Sequence, residues 1–321
     1  MEILKKQRSV SKFIGLLSAS LLLTLHPGTA HGCACGCGIF DVGSVAMFPA
    51  QPGGMFSLDY DFQDQNRNWS GSSRAPADNN ADKELRTSFV TPSLLYMFNT
   101  SFGISLDVPF ANRTFKTTGG ASGTDPVTLN WSALGDLRIK GVYTGFSKDL
   151  STGIDFGMKL PTGDWKYNDV YGDVDRDSEI GTGSLDFLVG AFHHQKLTSD
   201  NQWSWFAQVN SDLPAFTQGG YRPGFQIDGA AGIQFNGWTT PKENCKPLLQ
   251  FKASERTRDS GPAAADPVAS GYQRVLIAPG VEFDLHPVMI YADLEIPLYA
   301  HVTGNQLVAP VLFKLTVGYM F

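Results

Sequence analysis

Three thiols within five residues, Cys33, Cys35 and Cys37, form the most reactive grouping in the chain, and Cys245 is the fourth and last cysteine. In an oxidising compartment thiols pair, and the members of so tight a triplet cannot all pair with their neighbours. A disulfide from Cys245 to the triplet is the leading reading. A thiolate site for a soft metal, Cu(I) or Zn, built on Cys33, Cys35 and Cys37, competes with it. Against metal, C-x-C-x-C lacks the C-x-x-C spacing of zinc sites, and no C-x-x-C-H haem attachment site is present. An acylated Cys33 behind Ala30-His31-Gly32 is a further reading, against which His31 counts.

The other candidate groups are weaker. His193 and His194 resemble a ligand pair, but adjacent residues of a strand face opposite sides, so a solvated or interfacial pair is expected. Asp173, Asp175 and Asp177 have the alternation of a calcium loop, yet Ser178 stands where that loop needs Gly and Ser184 where it needs Glu. An acidic outer loop is the plainer reading, and a divalent site bridging lipopolysaccharide the sharper one. Catalysis needs a nucleophile, a base and an orienting group together; His301 has no hydrolase signature around it. The chain is therefore read as a non-enzyme without a cofactor.

The elements that must position these groups begin with an export signal. Lys5, Lys6, Arg8 and Lys12 precede an apolar run from Phe13 to Leu25, and Gly28-Thr29-Ala30 supplies small residues for cleavage. The run is too short to cross a bilayer as a helix, so residues 1–30 are expected to be a removed signal peptide. No other stretch is apolar enough for a membrane helix. An exported chain without one is periplasmic, secreted or a closed barrel, because only helices and barrels satisfy all their backbone hydrogen bonds in lipid. With 34 Gly, 12% aromatic and 17% charged residues, the composition suits a barrel, half of whose strand residues face water. Four of the 25 basic and one of the 31 acidic residues lie in the signal, leaving 21 against 30 and a net charge of −9. Nucleic acid is excluded as a partner on that balance.

The last strand is the clearest element. From Val311 to Phe321 every odd residue is apolar (Val311, Phe313, Leu315, Val317, Tyr319, Phe321), while Lys314, Thr316 and Gly318 share the other parity. Strict alternation gives one greasy and one wet face, over a length that crosses a bilayer in about 9 to 11 tilted residues. A terminal Phe321 resembles the signature that outer-membrane barrels present to their assembly machinery. Twelve such amphipathic stretches are read, at about 55–63, 85–98, 102–113, 135–146, 153–161, 185–196, 203–213, 225–236, 247–255, 274–285, 288–299 and 310–321. Short and long connections alternate between them, as in a barrel with tight periplasmic turns and larger outer loops, and an even count puts both termini in the periplasm. Cys245 then shares the periplasmic end with the cysteine triplet.

Parity also sorts the charges. A Lys or Arg facing lipid at the midplane costs roughly 2 to 4 kcal/mol, so mid-strand charges opposite an apolar face must look inward. By that rule Asp59, Asp61, Asp107, Arg138, Lys140, Asp155, Lys159, Asp186, Asp228, Lys252, Glu282, Asp284, Asp293 and Glu295 line the lumen. Their mixed signs can pair across the interior and narrow it, and the acidic excess disfavours anions. Trp203, Trp205 and Trp238 at one end, and Trp131 and Trp165 at the other, are expected in interfacial aromatic belts.

Leu134-Gly135-Asp136-Leu137 opens one strand, Lys159-Leu160-Pro161-Thr162-Gly163-Asp164 closes another, and Gly181-Thr182-Gly183-Ser184-Leu185-Asp186 opens the next. With Tyr221-Arg222-Pro223-Gly224, these motifs resemble a family of outer-membrane proteins described as components of the phenol-degradation meta pathway, often called simply transporters. The match runs from about Asn130 to the C-terminus. It rests on turn residues, Gly and Asp where the backbone bends, and it implies a barrel admitting hydrophobic or aromatic small molecules.

The expectation is thus an all-β protein: a transmembrane antiparallel up-and-down barrel of about twelve strands over residues 54–321, preceded by a Cys-rich periplasmic segment over 31–53. Its expected home is the outer membrane of a Gram-negative bacterium, its expected partners lipid, lipopolysaccharide, the assembly machinery and a small-molecule solute. Twelve strands lie between the eight that side chains fill and the sixteen that leave an open channel, so a narrow or plugged conduit is expected. A barrel that docks a partner through its Cys-rich N-terminus is the alternative from another class, and an outer-membrane enzyme a third.

Overall fold

The computed structural model describes residues 52–118, 125–169, 172–239, 244–264 and 267–321. Within them the chain runs through twelve long strands: β1 (Gly53–Gln65), β2 (Asp82–Met97), β3 (Phe102–Asp107 and Phe110–Thr118), β4 (Pro126–Leu134 and Leu137–Tyr143), β5 (Thr152–Leu160), β6 (Ser184–Lys196), β7 (Trp203–Thr217), β8 (Gln226–Phe235), β9 (Asn244–Arg256), β10 (Tyr272–Leu285), β11 (Val288–Val308) and β12 (Leu312–Met320). Each pairs antiparallel with the next. The sheet then closes, because β12 pairs with β1 from Met55↔Met320 through Gln63↔Leu312. Closure removes the sheet's free edges, the condition for a β-structure to persist in lipid.

The seam depends on one glycine. Gly54 N–H donates to the Phe321 carbonyl and Phe321 N–H to the Gly54 carbonyl, both at 2.8 Å. The Phe321 ring lies across Gly54, where a Cβ would come within 2.3 Å of it.

The alternation seen in the sequence separates two surfaces. Phe56, Leu58, Phe156, Phe251, Leu294 and Val317 stand on the outside, 41–63% exposed, with comparable residues on every other strand. A girdle of this extent far exceeds the apolar patches that soluble monomers tolerate, so it is a lipid-facing surface. The opposite parity is buried and largely polar: Asp59, Thr87, Asp186, Gln250, Lys252, Asp293 and Thr316 are each at most 3% exposed.

The two rims differ. β1 starts and β12 ends at the rim that carries the short turns, among them Leu285-His286-Pro287-Val288. The other rim carries the long connections, and here the boundaries depart from expectation. The stretch 114–134, expected as a long loop, is mostly sheet: β3 continues to Thr118 and β4 begins at Pro126. β11 likewise runs on to Val308 and pairs with Arg67–Gly71, a hairpin arm that prolongs β1. These extensions rise beyond the apolar girdle, so their outward residues (Asn112, Thr128, Asn130) are polar and the two-residue hydrophobic period disappears while the hydrogen-bonded ladder continues.

One part of the wall is interrupted. β3 bends at Val108-Pro109, β4 at Gly135-Asp136, and β5 stops at Leu160-Pro161. The connection 161–183 then turns toward the interior instead of extending the sheet.

Candidate functional site in the barrel lumen

Along the wall formed by β9, β11, β12 and β1, inward side chains at successive same-face positions build a polar ladder. Lys252 Nζ lies 2.9 Å from Asp293 Oδ2 and 2.6 Å from Glu295 Oε1, with all three side chains at most 3% exposed. Gln250 and Tyr291 also donate to Asp293 Oδ2, at 2.9 and 2.6 Å. Lys314 reaches Asp61 at 3.6 Å, and Thr316 donates to Asp59. The facing wall repeats the pattern: Lys159 pairs with Asp186 at 2.5 Å, Arg138 with Asp212 at 2.8 Å and Lys140 with Asp107 at 3.7 Å. Toward the short-turn rim Lys246 holds Glu282 at 2.6 Å and Asp284 at 3.8 Å. Asp228 accepts from Ser254 and Gln226. Asp155 and Asn210 lie over Gly190, where a Cβ would sit 2.5 and 2.3 Å from their oxygens. These charges of mixed sign pair across strands.

The lumen is capped by apolar packing near the short-turn rim and by a folded loop near the other. Met97, Val142, Leu150, Phe192 and Phe206 form one buried cluster, with Leu150 contributed by the turn between β4 and β5. At the long-loop rim the 161–183 connection is held by two charged side chains. Arg113, 1% exposed, donates from Nη1 to the carbonyls of Ser178 (2.6 Å) and Glu179 (2.9 Å) and from Nε to Thr87 Oγ1 (3.0 Å). Asp136 accepts from Gly163 N–H (3.0 Å) and from the N–H and hydroxyl of Thr182 (2.8 and 2.6 Å). Tyr167 stacks on Trp131 at 4.7 Å, and Val174 packs against Leu85, Phe115 and Leu307. Trp131 is therefore an inward core residue, 6% exposed, and not part of an aromatic belt. Its parity decides this: the outward positions of that strand segment are those of Asn130 and Leu134. Trp165 is also engaged in the loop, with Arg176 4.2 Å over its ring.

Under this lid lies a cavity of about 100 Å³, walled by Phe89, Arg138, Lys159, Glu179, Asp186, Tyr221 and Arg256 among others. Arg256 is paired with Asp259 at 2.6 Å, and Tyr221 donates to the same carboxylate at 2.9 Å. Burial pushes the Glu179 carboxyl up to about 8, with Asp164 adding to the rise. Burial likewise pushes Asp177 up to about 7, helped by Asp259.

This is a closed antiparallel twelve-stranded β-barrel, the fold of outer-membrane barrels. An outer membrane channel from Pseudomonas putida F1 superposes with a TM-score of 0.63 at 11% identity, covering 88% of this chain and all of the other. The beta domain of the Bordetella autotransporter BrkA is similar at a TM-score of 0.49 and 14% identity, covering 84% of this chain and all of its own. No protein-family model and no curated protein sequence matches the chain.

Cys33, Cys35 and Cys37 lie outside the described residues, as do the segments 1–30 and most of 31–53. Cys245 is half-buried on β9 at the short-turn rim, opposite Trp238. His193 bonds Thr152 and lies beside Trp205; His301 bonds Ser72. Among the described residues no group of three or more His, Cys, Asp and Glu is arranged to hold a metal. Parity overlooked Lys314, Asp212 and Lys246, which share the wet face with residues it assigned. Arg113, Asp136, Glu179 and Asp259 carried no such signal, because each contact they make involves a loop residue or lies at a strand end beyond the girdle.

Proposed function

We propose that the chain is a passive channel of the Gram-negative outer membrane that lets small molecules cross down their gradient. The observation that carries this reading is the closed barrel whose outside is a continuous apolar girdle and whose inside is a set of paired charges leading to a cavity under a folded loop. A barrel with a structural role alone has no need of an interior so rich in ionisable groups; a hydrated path does. In this reading both termini face the periplasm, residues 1–30 are removed on export, and the Cys-bearing segment that follows is periplasmic. The turn motifs that resemble the meta-pathway transporters support hydrophobic or aromatic solutes, and the named function of the Pseudomonas putida channel agrees with passage as such. Lipid, lipopolysaccharide and the assembly machinery, through Phe321, are the partners that follow.

Reconstitution tests it. The purified barrel in proteoliposomes is expected to give solute-dependent swelling, and in planar bilayers a conductance that rises when the Arg113 anchor of the lid is removed. A barrel that inserts but stays silent in both assays, with and without that anchor, would turn the assignment toward a docking protein.

A further inference from the structure

We infer that the channel selects positively charged solutes, recognising an ammonium group first at Glu179 beneath the lid and then along the Asp61, Asp293 and Glu295 wall. This rests on the channel reading above and adds the chemical class of what passes. The argument starts from what each charge in the cavity already holds. Arg138 is paired with Asp212, Lys159 with Asp186 and Arg256 with Asp259. Arg176 lies over Trp165 and Tyr221 and donates to the Thr182 carbonyl. Arg113 is spent on two backbone carbonyls and Thr87. Asp136 is occupied by the three donors of the loop. Glu179 and Asp177 are left: Glu179 is 5% exposed, takes the Tyr167 backbone N–H and has no partner at Oε2, and Asp177 Oδ1 is likewise buried without one.

The same imbalance recurs deeper. Asp59, Asp61, Asp293 and Glu295 face only two ammonium groups in that wall, those of Lys252 and Lys314. Asp61 Oδ2, Asp293 Oδ1 and Glu295 Oε2 are buried without partners, as is the amide oxygen of Gln250. All four of these orphans are acceptors. A buried acceptor without a donor is costly, and a carboxylate without a counter-charge more so. A solute that brings N–H donors and a positive charge relieves both at each level, whereas an anion meets acceptors at both levels against one unpartnered donor in the cavity lining, Arg176 Nε, and a neutral solute brings no charge. Two successive acceptor-rich levels also meet the need of conduction for several moderate sites in place of one deep one.

The test is the reversal potential of the full-length barrel in planar bilayers at pH 9, above the value of about 8 to which burial pushes Glu179, under a KCl gradient, and then with ethanolammonium chloride replacing KCl on one side. The parent is expected to pass K⁺ several-fold more readily than Cl⁻ and to carry ethanolammonium current. Glu179→Gln, an isosteric change in a loop, is expected to lower the cation-to-anion ratio by at least half while the conductance persists. Glu295→Gln gives a second, independent reading from the deeper level, and a variant that fails to insert there leaves the Glu179→Gln result to decide. A conducting parent that favours Cl⁻, shows no preference, or keeps its full preference in Glu179→Gln overturns the inference and leaves the channel standing. A parent with no current under any condition overturns the channel reading and this inference with it.

Discussion

The two sides of the barrel interior hold buried cations by different means. On the β9–β11–β12 side Lys252 meets carboxylates on β11, two strands away across β10 in the same sheet, at positions fixed by register. On the β3–β5 side Arg113 donates to the carbonyls of Ser178 and Glu179, in a loop that entered the barrel where the wall is interrupted. The first arrangement moves only if the sheet moves. The second can let go while every strand stays paired. Rigid strands therefore carry the fixed charges, and the element free to rearrange is tied down by a few hydrogen bonds.

The largest effect is expected on the rigid side. Lys252→Met removes the shared counter-charge of Asp293 and Glu295 and leaves two carboxylates buried without it, a loss of about 3 to 5 kcal/mol in barrel stability. Urea unfolding in detergent or vesicles, followed by tryptophan fluorescence, measures it. The triple variant with Asp293→Leu and Glu295→Leu is expected to recover most of the loss, since an apolar replacement of a whole buried ion cluster is often neutral. Failure of that recovery would mean that the ladder holds the wall in shape beyond its charge balance.

On the looser side the effect is smaller and local. Arg113→Ala deletes hydrogen bonds from a charged donor, each worth about 1.5 to 3 kcal/mol, and releases the loop between β5 and β6 without opening a strand pair. Cleavage by trypsin after Lys166 or Arg176 is expected to quicken, while the global unfolding midpoint shifts less than in Lys252→Met. An equal fall in both measurements would erase the distinction between the two sides.

The same contrast explains what could be read in advance. Lys252, Asp293 and Glu295 were legible because a strand has a period of two and lipid forbids charge on one face; position alone settles their direction. The closing β12–β1 pair was legible for the same reason, from Val311 to Phe321. Trp131 was misjudged because its strand segment continues past the girdle, where polar Asn130 and Thr128 look outward and hydrophobicity no longer marks the lipid side. Arg113 and Glu179 were not legible as partners at all: 66 residues separate them, and only the inward turn of the loop at Pro161 brings them together. No local rule encodes that turn, although Leu134-Gly135-Asp136-Leu137 and Gly181-Thr182-Gly183 mark the two places where Asp136 and Thr182 fasten it.

The smallest effect separates the sides by pH. Glu179 and Asp177 sit on the loop, both raised first by burial; Asp164 raises Glu179 further while Arg113 and Arg176 pull it back, and Asp259 raises Asp177 while Arg256 pulls it back. A carboxyl raised in the folded loop binds a proton more tightly there than in the released loop, so protons favour the closed form. That stabilisation is complete below the ordinary values of 4.5 and 3.8 and is lost as pH climbs through about 7 for Asp177 and about 8 for Glu179. Loop release should therefore grow across that interval and level off above it. Acrylamide quenching of Trp165, taken as the difference between the parent and Trp165→Phe, reports the release: quenching is expected to rise from pH 5 to pH 8 in the parent and to stay flat when Glu179→Gln and Asp177→Asn are combined. A parent whose quenching falls with pH would place the controlling titration elsewhere than on these two carboxyls, because no group protonated more tightly in the closed loop can close it further as protons are withdrawn.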